Sequence, residues 1–282
     1  MRVSYTMHRV AGPNADMIEY WNGDGAKRWI AARDRMDRSM AAIHDALIAF
    51  AEPRRGERVL DVGCGCGTTT IELARRTGVV ATGIDVSAPM VAVARERAGK
   101  AASFVVADAS SHAFEPAFQL VFSRFGVMFF ADPVAAFANI RRAVKPDGRI
   151  AFACWRALEH NAWAGVPLAA ARPLLPAMPP PDPLAPGPFA FADGERVCRI
   201  LAGAGFQDAS VAAHASSMWL GDTLESAVDE VLSIGPLARA AGELPEATRA
   251  QIRERVRAAL EPYVAPDGVA LPAAVWLAGA RA

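Results

Sequence analysis

The stretch VLDVGCGCGTTT, residues 59–70, decides the fold. An apolar strand-like run leads into Gly63, Gly65 and Gly67, and a helical pattern follows at once, with Ile71, Leu73 and Ala74 at helical spacing. Glycine permits a tight strand-to-helix turn and lets a ligand approach the backbone. Such a turn alone is shared by several nucleotide-binding folds. Two details narrow it. The dinucleotide fingerprint Gly-x-Gly-x-x-Gly needs a third glycine at position 68, where Thr68 stands. Asp61 sits just ahead of the turn, where a carboxylate repels a pyrophosphate but accepts from an ammonium.

Working outward, short apolar runs alternate with helical patterns as far as Trp155. Strands are predicted at 58–62, 79–86, 103–108, 119–123 and 149–155, and helices at 68–76, 88–98 and 133–144. Pro89 can start the second helix, and Lys145-Pro146-Asp147-Gly148 should stop the third. This alternation predicts a doubly wound, Rossmann-like α/β sheet with its ligand at the carboxyl ends of the strands. Acidic residues stand at two of those ends. Asp85 closes VVATGID, where a carboxylate receives ribose hydroxyls. Asp108 closes SFVVAD, placed to accept from an adenine amino group, with the Ala109 N–H beside it.

With these residues in place, the segment 59–155 resembles class I S-adenosylmethionine-dependent methyltransferases. The resemblance implies S-adenosylmethionine as cofactor, S-adenosylhomocysteine as product, and a seven-stranded sheet whose last strand, compatible with 269–281, is antiparallel. It implies that Asp61, Gly63, Gly65, Gly67, Asp85, Val86, Asp108 and Ala109 bind the cofactor, that Met90 packs near the adenine, and that Ser123 and Phe125 line the methionine arm. The segment YWNGDGAKRWI, residues 20–30, is similar to the aromatic N-terminal segment of small-molecule methyltransferases of quinone and polyketide biosynthesis. Trp21 and Trp29 would then close over the cofactor, where an aromatic face near a sulfonium contributes ~0.5–2 kcal/mol, and Asn22 would touch its methionine part. A short-chain dehydrogenase would instead show Tyr-x-x-x-Lys, and none of Tyr5, Tyr20 or Tyr263 has a lysine four residues on.

Methyl transfer from a sulfonium is an in-line displacement for which the protein supplies position and a dry pocket. After the fourth strand the chain reads SRFGVMFFADP, without the Asn/Asp-Pro-Pro-Tyr/Phe of enzymes acting on nucleobase amines. Arg124 is a candidate partner for an anionic acceptor or a structural ion pair. Phe125 and Phe129 are candidates to face the acceptor. His160, just past the fifth strand, is the first candidate for a general base.

The flanks predict a cap. Residues 14–50 look helical, with Met40, Ile43, Leu47 and Phe50 on one face. Prolines between Pro167 and Pro188 exclude a helix interior or a central strand there, which leaves a surface connection or a lid. Residues 192–206 read as a helix, 208–216 as a strand and 222–262 as helices. The expected organisation is an N-terminal helical segment (1–50), a cofactor-binding core (51–160), a proline-rich rim (161–192) and a C-terminal part (193–282) with a helical insertion at 222–262.

Composition bounds the rest. The 30 lysines and arginines balance 30 aspartates and glutamates. Non-specific nucleic-acid binders carry a basic excess, so a small-molecule acceptor is expected and nucleic acid is not. No apolar run reaches membrane-spanning length, and MRVSYTMHRV lacks the apolar stretch of a signal peptide. Cys64, Cys66, Cys154 and Cys198 show no zinc spacing, so free thiols and no metal are expected, in a cytoplasmic protein. A homodimer is left open.

Overall fold

The computed structural model describes residues 14–176, 182–242 and 244–282. Helices α1 (Ala15–Asn22), α2 (Asp24–Ser39) and α3 (Ala41–Ala51) precede the sheet. Then strands β1 (Arg58–Val62), β2 (Val80–Asp85) and β3 (Ser103–Val106) alternate with α4 (Thr68–Thr77) and α5 (Ala88–Ala98). Strand β4 (Phe118–Arg124), α6 (Pro133–Arg141) and β5 (Val144–Trp155) follow, then α7 (Ala162–Ala171) and α8 (Gly194–Gly203). Strand β6 (Gln207–Gly221) leads into α9 (Leu224–Ser233), α10 (Pro236–Ala241) and α11 (Glu246–Leu260), and β7 (Val264–Ala265) and β8 (Gly268–Arg281) end the chain.

The strand order is β3-β2-β1-β4-β5-β8-β6, with two-residue β7 hanging on β8. Strands β1 to β5 pair in parallel, while β8 runs antiparallel between β5 and β6. This is the expected Rossmann-like sheet with an antiparallel last strand. Strand order reverses between β1 and β4, and the crevice at that switch point is where such sheets take ligands.

Local chemistry sets the boundaries. Gly67 and Gly78 bracket α4, both left-handed. Ser87 caps α5 and Asp132 caps α6 through their side chains, and each helix has proline in its first turn. Three expectations need correction. Helix α6 ends at Arg141, earlier than expected. Val144 already pairs with Phe118, and Lys145–Gly148 forms an excursion inside β5, with Asp147 at φ 63°. Strand β6 runs on to Gly221 because β8 offers it a partner along that length. Pro167 lies inside α7, where helix was excluded. The ring forfeits one i→i−4 bond, but packing of α7 against α10 and α11 holds the helix together.

The N-terminal and C-terminal helices meet above the carboxyl ends of the strands. Arg35 of α2 pairs with buried Glu230 of α9 at 2.7 Å, and Arg38 pairs with Asp222 at 2.9 Å while stacking on Trp219. Of the proline-rich stretch, residues 177–181 lie outside the described residues. Its end is anchored: Phe191 is buried against Phe137 and Phe152, and Gly187 N–H donates to the Met128 carbonyl. No helix among the described residues is long and apolar enough to cross a membrane.

Candidate active site

A cavity of about 1220 Å³ opens at the switch point, floored by the glycine turn and roofed by the helices. The turn is shaped by backbone contact. Gly63 has φ 71°, and a Cβ there would lie 2.5 Å from the Gly126 Cα. A Cβ at Gly65 would meet the Met90 Cε at 2.9 Å and the Trp29 Nε1 at 3.9 Å, so glycine keeps the space between those side chains open. Gly67 does not line the cavity. It lets α5 and β3 close in, since its Cβ would lie 2.8 Å from that of Ala94.

The two acids after the turn both face the cavity. Asp85 is half-buried, with Oδ2 accepting from Gly65 N–H and Oδ1 from Ser87 N–H, each at 2.8 Å. Burial pushes its carboxyl above the ordinary value against those backbone bonds. Each oxygen keeps a lone pair for a further donor. Asp108 accepts from Ser110 N–H and from Asn14 Nδ2, each at 2.9 Å, and Ala109 lines the cavity beside it. Asn14 therefore straps the start of α1 to the second acid, and its Oδ1 accepts from Ala131 N–H. Asn22 straps the other end. Its amide donates to the Val86 carbonyl and accepts from Ala88 N–H, both at 3.0 Å, which puts it at the ribose-acid end rather than near a methionine arm. Trp21 packs edge-on against Trp29 and Phe129, making one aromatic wall of the cavity.

Besides Gly67, three expected site residues stand off the cavity. Asp61 lies one layer behind its wall. Thr69 and Thr70 hydroxyls donate to its Oδ2, and its Oδ1 has no partner among the described residues. Thr69 itself lines the cavity and so relays Asp61 to it. Ser123 is fully buried; its hydroxyl donates to the Val62 carbonyl and accepts from Gly126 N–H, clamping β4 to the glycine turn. His160 sits exposed on a short 3-10 turn and does not reach the cavity. Its neighbour Asn161 takes the inward position, accepting from Trp163 Nε1 and Ala274 N–H, which turns His160 outward.

Beyond the turn, Phe125 takes a left-handed φ of 67° and stacks on Trp155 at 4.2 Å. Arg124 reaches the cavity with its side chain 9% exposed, and among the described residues its one salt-bridge contact is Asp37 at 3.5 Å. Asp37 also accepts from the Thr68 hydroxyl at 2.5 Å, while Arg97 donates to Thr68 and to the Cys66 carbonyl. This network ties α2 to the glycine turn and was not anticipated; one acid among many on a helix carries no sequence signal. Burial pushes the Cys66 thiol up to about 11, which leaves it a neutral wall group. Among the described residues no cluster could hold a metal ion.

Burial raises the Asp61 carboxyl to about 6, against the Thr69 and Thr70 bonds and the Arg124 charge. The folded chain therefore holds this proton where the unfolded chain has lost it. Stability from this group is full below about pH 4 and lost as pH rises through about 6. By neutral pH the loss is ~3 kcal/mol. Asp61→Asn should remove that slope, read as urea midpoints of the ligand-free protein at pH 4.5 and 7 (roughly either side of the transition). An unaltered slope would contradict the assignment.

Fold and site define a Rossmann-like protein with a capped cavity at the switch point of its sheet. Residues 59–148 match a family described as "Methyltransferase domain". That segment is a class I S-adenosylmethionine-dependent methyltransferase domain, whose cofactor is S-adenosylmethionine. It is similar to aklanonic acid methyltransferase of Streptomyces sp. (strain C5), 37% identical over 38% of this chain and 51% of that one. It is similar to nocamycin O-methyltransferase of Saccharothrix syringae, 37% identical over 37% of this chain and 40% of the other. The chain spans about half the length, or less, of these curated relatives. Among solved structures, phosphoethanolamine N-methyltransferase 2 of Haemonchus contortus in complex with S-adenosyl-L-methionine superposes with a TM-score of 0.59 at 18% identity, covering 96% of this chain and 60% of that one. A [4+2]-cyclase superposes with a TM-score of 0.51 at 21% identity, covering 85% and 79%.

Proposed function

We propose that the protein transfers a methyl group from S-adenosylmethionine to a small, hydrophobic or aromatic acceptor held under the helical cap. One observation carries this reading: the acids, the glycine turn and the apolar roof share one cavity of about 1220 Å³. Single-ligand sites are usually ~300–1,000 Å³, so an acceptor has room beside the cofactor. Relatives named for aklanonic acid and nocamycin support the acceptor class, and the balanced charge argues against a nucleic-acid substrate.

Asp85 receives the ribose hydroxyls on its free lone pairs. Asp108 and the Ala109 N–H hold the adenine, with Met90 and Val86 against its faces. Gly63 and Gly65 admit the methionine arm, and Thr69 presents the Asp61 charge toward it. Trp21 and Trp29 exclude water. The free lone pairs of Asp85 and the open space at Gly65 fit such a ligand. Bound there, S-adenosylmethionine supplies a methyl group already activated for displacement. Arg124, Phe125 and Phe129 face the acceptor and orient it. Residues 51–160 thus serve the cofactor and lend Arg124, Phe125 and Phe129 to the acceptor. Segments 1–50, 161–192 and 222–262 serve the acceptor, the last as an insertion within 193–282.

The test is incubation with methyl-labelled cofactor and a panel of hydroxylated aromatic and quinone-like compounds, read by mass spectrometry. A labelled product one CH₂ heavier than its acceptor is expected. Label found only in added RNA or protein, or a product altered without label, would overturn the reading.

A further inference from the structure

We propose that Tyr20, Arg28 and Arg239 form a recognition site for a carboxylate on the acceptor. The inference rests on the methyl-transfer reading and deepens it. The three side chains come from α1, α2 and α10 and meet at the cavity wall. The Arg239 guanidinium carbon lies 5.3 Å from the centre of the Tyr20 ring. Burial works to raise the Tyr20 phenol, yet the nearby Arg28 and Arg239 guanidinium groups outweigh it and hold it below its ordinary value. The phenol O–H and the two guanidinium groups bring hydrogen-bond donors and positive charge to one stretch of the cavity wall, which is the chemistry of an anion receptor.

The neighbouring arginines sharpen the contrast. Arg35 and Arg38 on α2, and Arg253 and Arg257 on α11, each contact a carboxylate. Among the described residues neither Arg28 nor Arg239 does. Two cations on one stretch of cavity wall repel each other, and a bound anion relieves that repulsion. The sequence builds the seat for this cluster. A Cβ at Gly25 would lie 2.6 Å from the Tyr20 Cε1, so glycine there lets the ring lie on the start of α2. The apolar wall around Trp21, Trp29 and Phe129 then selects a hydrophobic acid over a free inorganic anion.

The test compares naphthoate with naphthamide, which share the ring and differ in charge. Both are titrated calorimetrically into protein already saturated with S-adenosylhomocysteine. Naphthoate should bind at least about tenfold more tightly, the scale of one charge-assisted hydrogen bond at a partly open site. That preference should shrink in Tyr20→Phe and fall to about twofold or less in an Arg28→Gln/Arg239→Gln variant, whose fold is checked by circular dichroism. Naphthoate bound no better than the amide by wild type, including no binding of either, overturns the site. So does a preference that survives in the folded double variant. Failure of S-adenosylhomocysteine itself to bind would instead remove the methyl-transfer reading beneath it.

Discussion

Replacing Gly63 by alanine is expected to cost the protein ~2–5 kcal/mol of stability and to abolish binding of S-adenosylhomocysteine. Two penalties add. Gly63 has φ 71°, where a side chain costs ~1–2 kcal/mol. Its new Cβ would also lie 2.5 Å from the Gly126 Cα, a backbone atom that no rotamer change can move aside. Overpacking of that kind adds ~1–3 kcal/mol. For a chain of this size the melting temperature should fall by roughly 10 °C. Gly56→Ala is the control. Its φ is 83°, but nothing lies within 4 Å of the added Cβ, so only the conformational cost applies. Thermal melts of the two variants should differ accordingly. Equal, small losses would mean the turn has slack that the contact distances deny.

Asp85→Ala is expected to weaken S-adenosylhomocysteine binding by ~1–3 kcal/mol, about tenfold to a hundredfold in Kd. The substitution removes the acceptor proposed for both ribose hydroxyls. It also orphans the Gly65 and Ser87 N–H groups, each of which now donates to this carboxylate at 2.8 Å. Asp85→Asn should fall between, because its amide oxygen can keep one of those donors while its NH₂ faces the other. Calorimetric titration gives the affinity, and urea melts of the free proteins separate the turn's stability from ligand contact. An unchanged affinity in Asp85→Ala would place the cofactor elsewhere.

The parallel half of the sheet was legible because its signals are local. Alternation gives strands and helices, glycines fix the turn, and acids mark strand ends. Asp85, Asp108, Met90, Trp21, Trp29, Arg124 and Phe129 all reach the cavity. The errors fall where position depends on what packs behind. Asp61 and Ser123 look like ligand groups in sequence, but the Thr69 and Thr70 hydroxyls and the Val62 carbonyl had already claimed them. His160 looked poised after β5, and Asn161 beside it took the inward place. The straps from Asn14 and Asn22, and the Asp37 link, join residues tens of positions apart and leave no periodic trace. Pro167 inside α7 shows packing overriding a strong local preference.

The contact between Gly63 and Gly126 has a consequence for how such a chain can diversify. Each glycine blocks a side chain on the other: a Cβ at Gly126 would lie 2.4 Å from the Val62 carbonyl oxygen and 2.7 Å from the Gly63 Cα. The two loops are welded at this one seam, and Ser123 rivets it with bonds to both sides. Variation that reshapes acceptor choice is therefore confined to side chains flanking the seam, such as Arg124 and Phe125, to the chain from residue 127 onward, and to the overhead helices. The methyl-donor compartment can stay fixed while the opposite compartment is rebuilt.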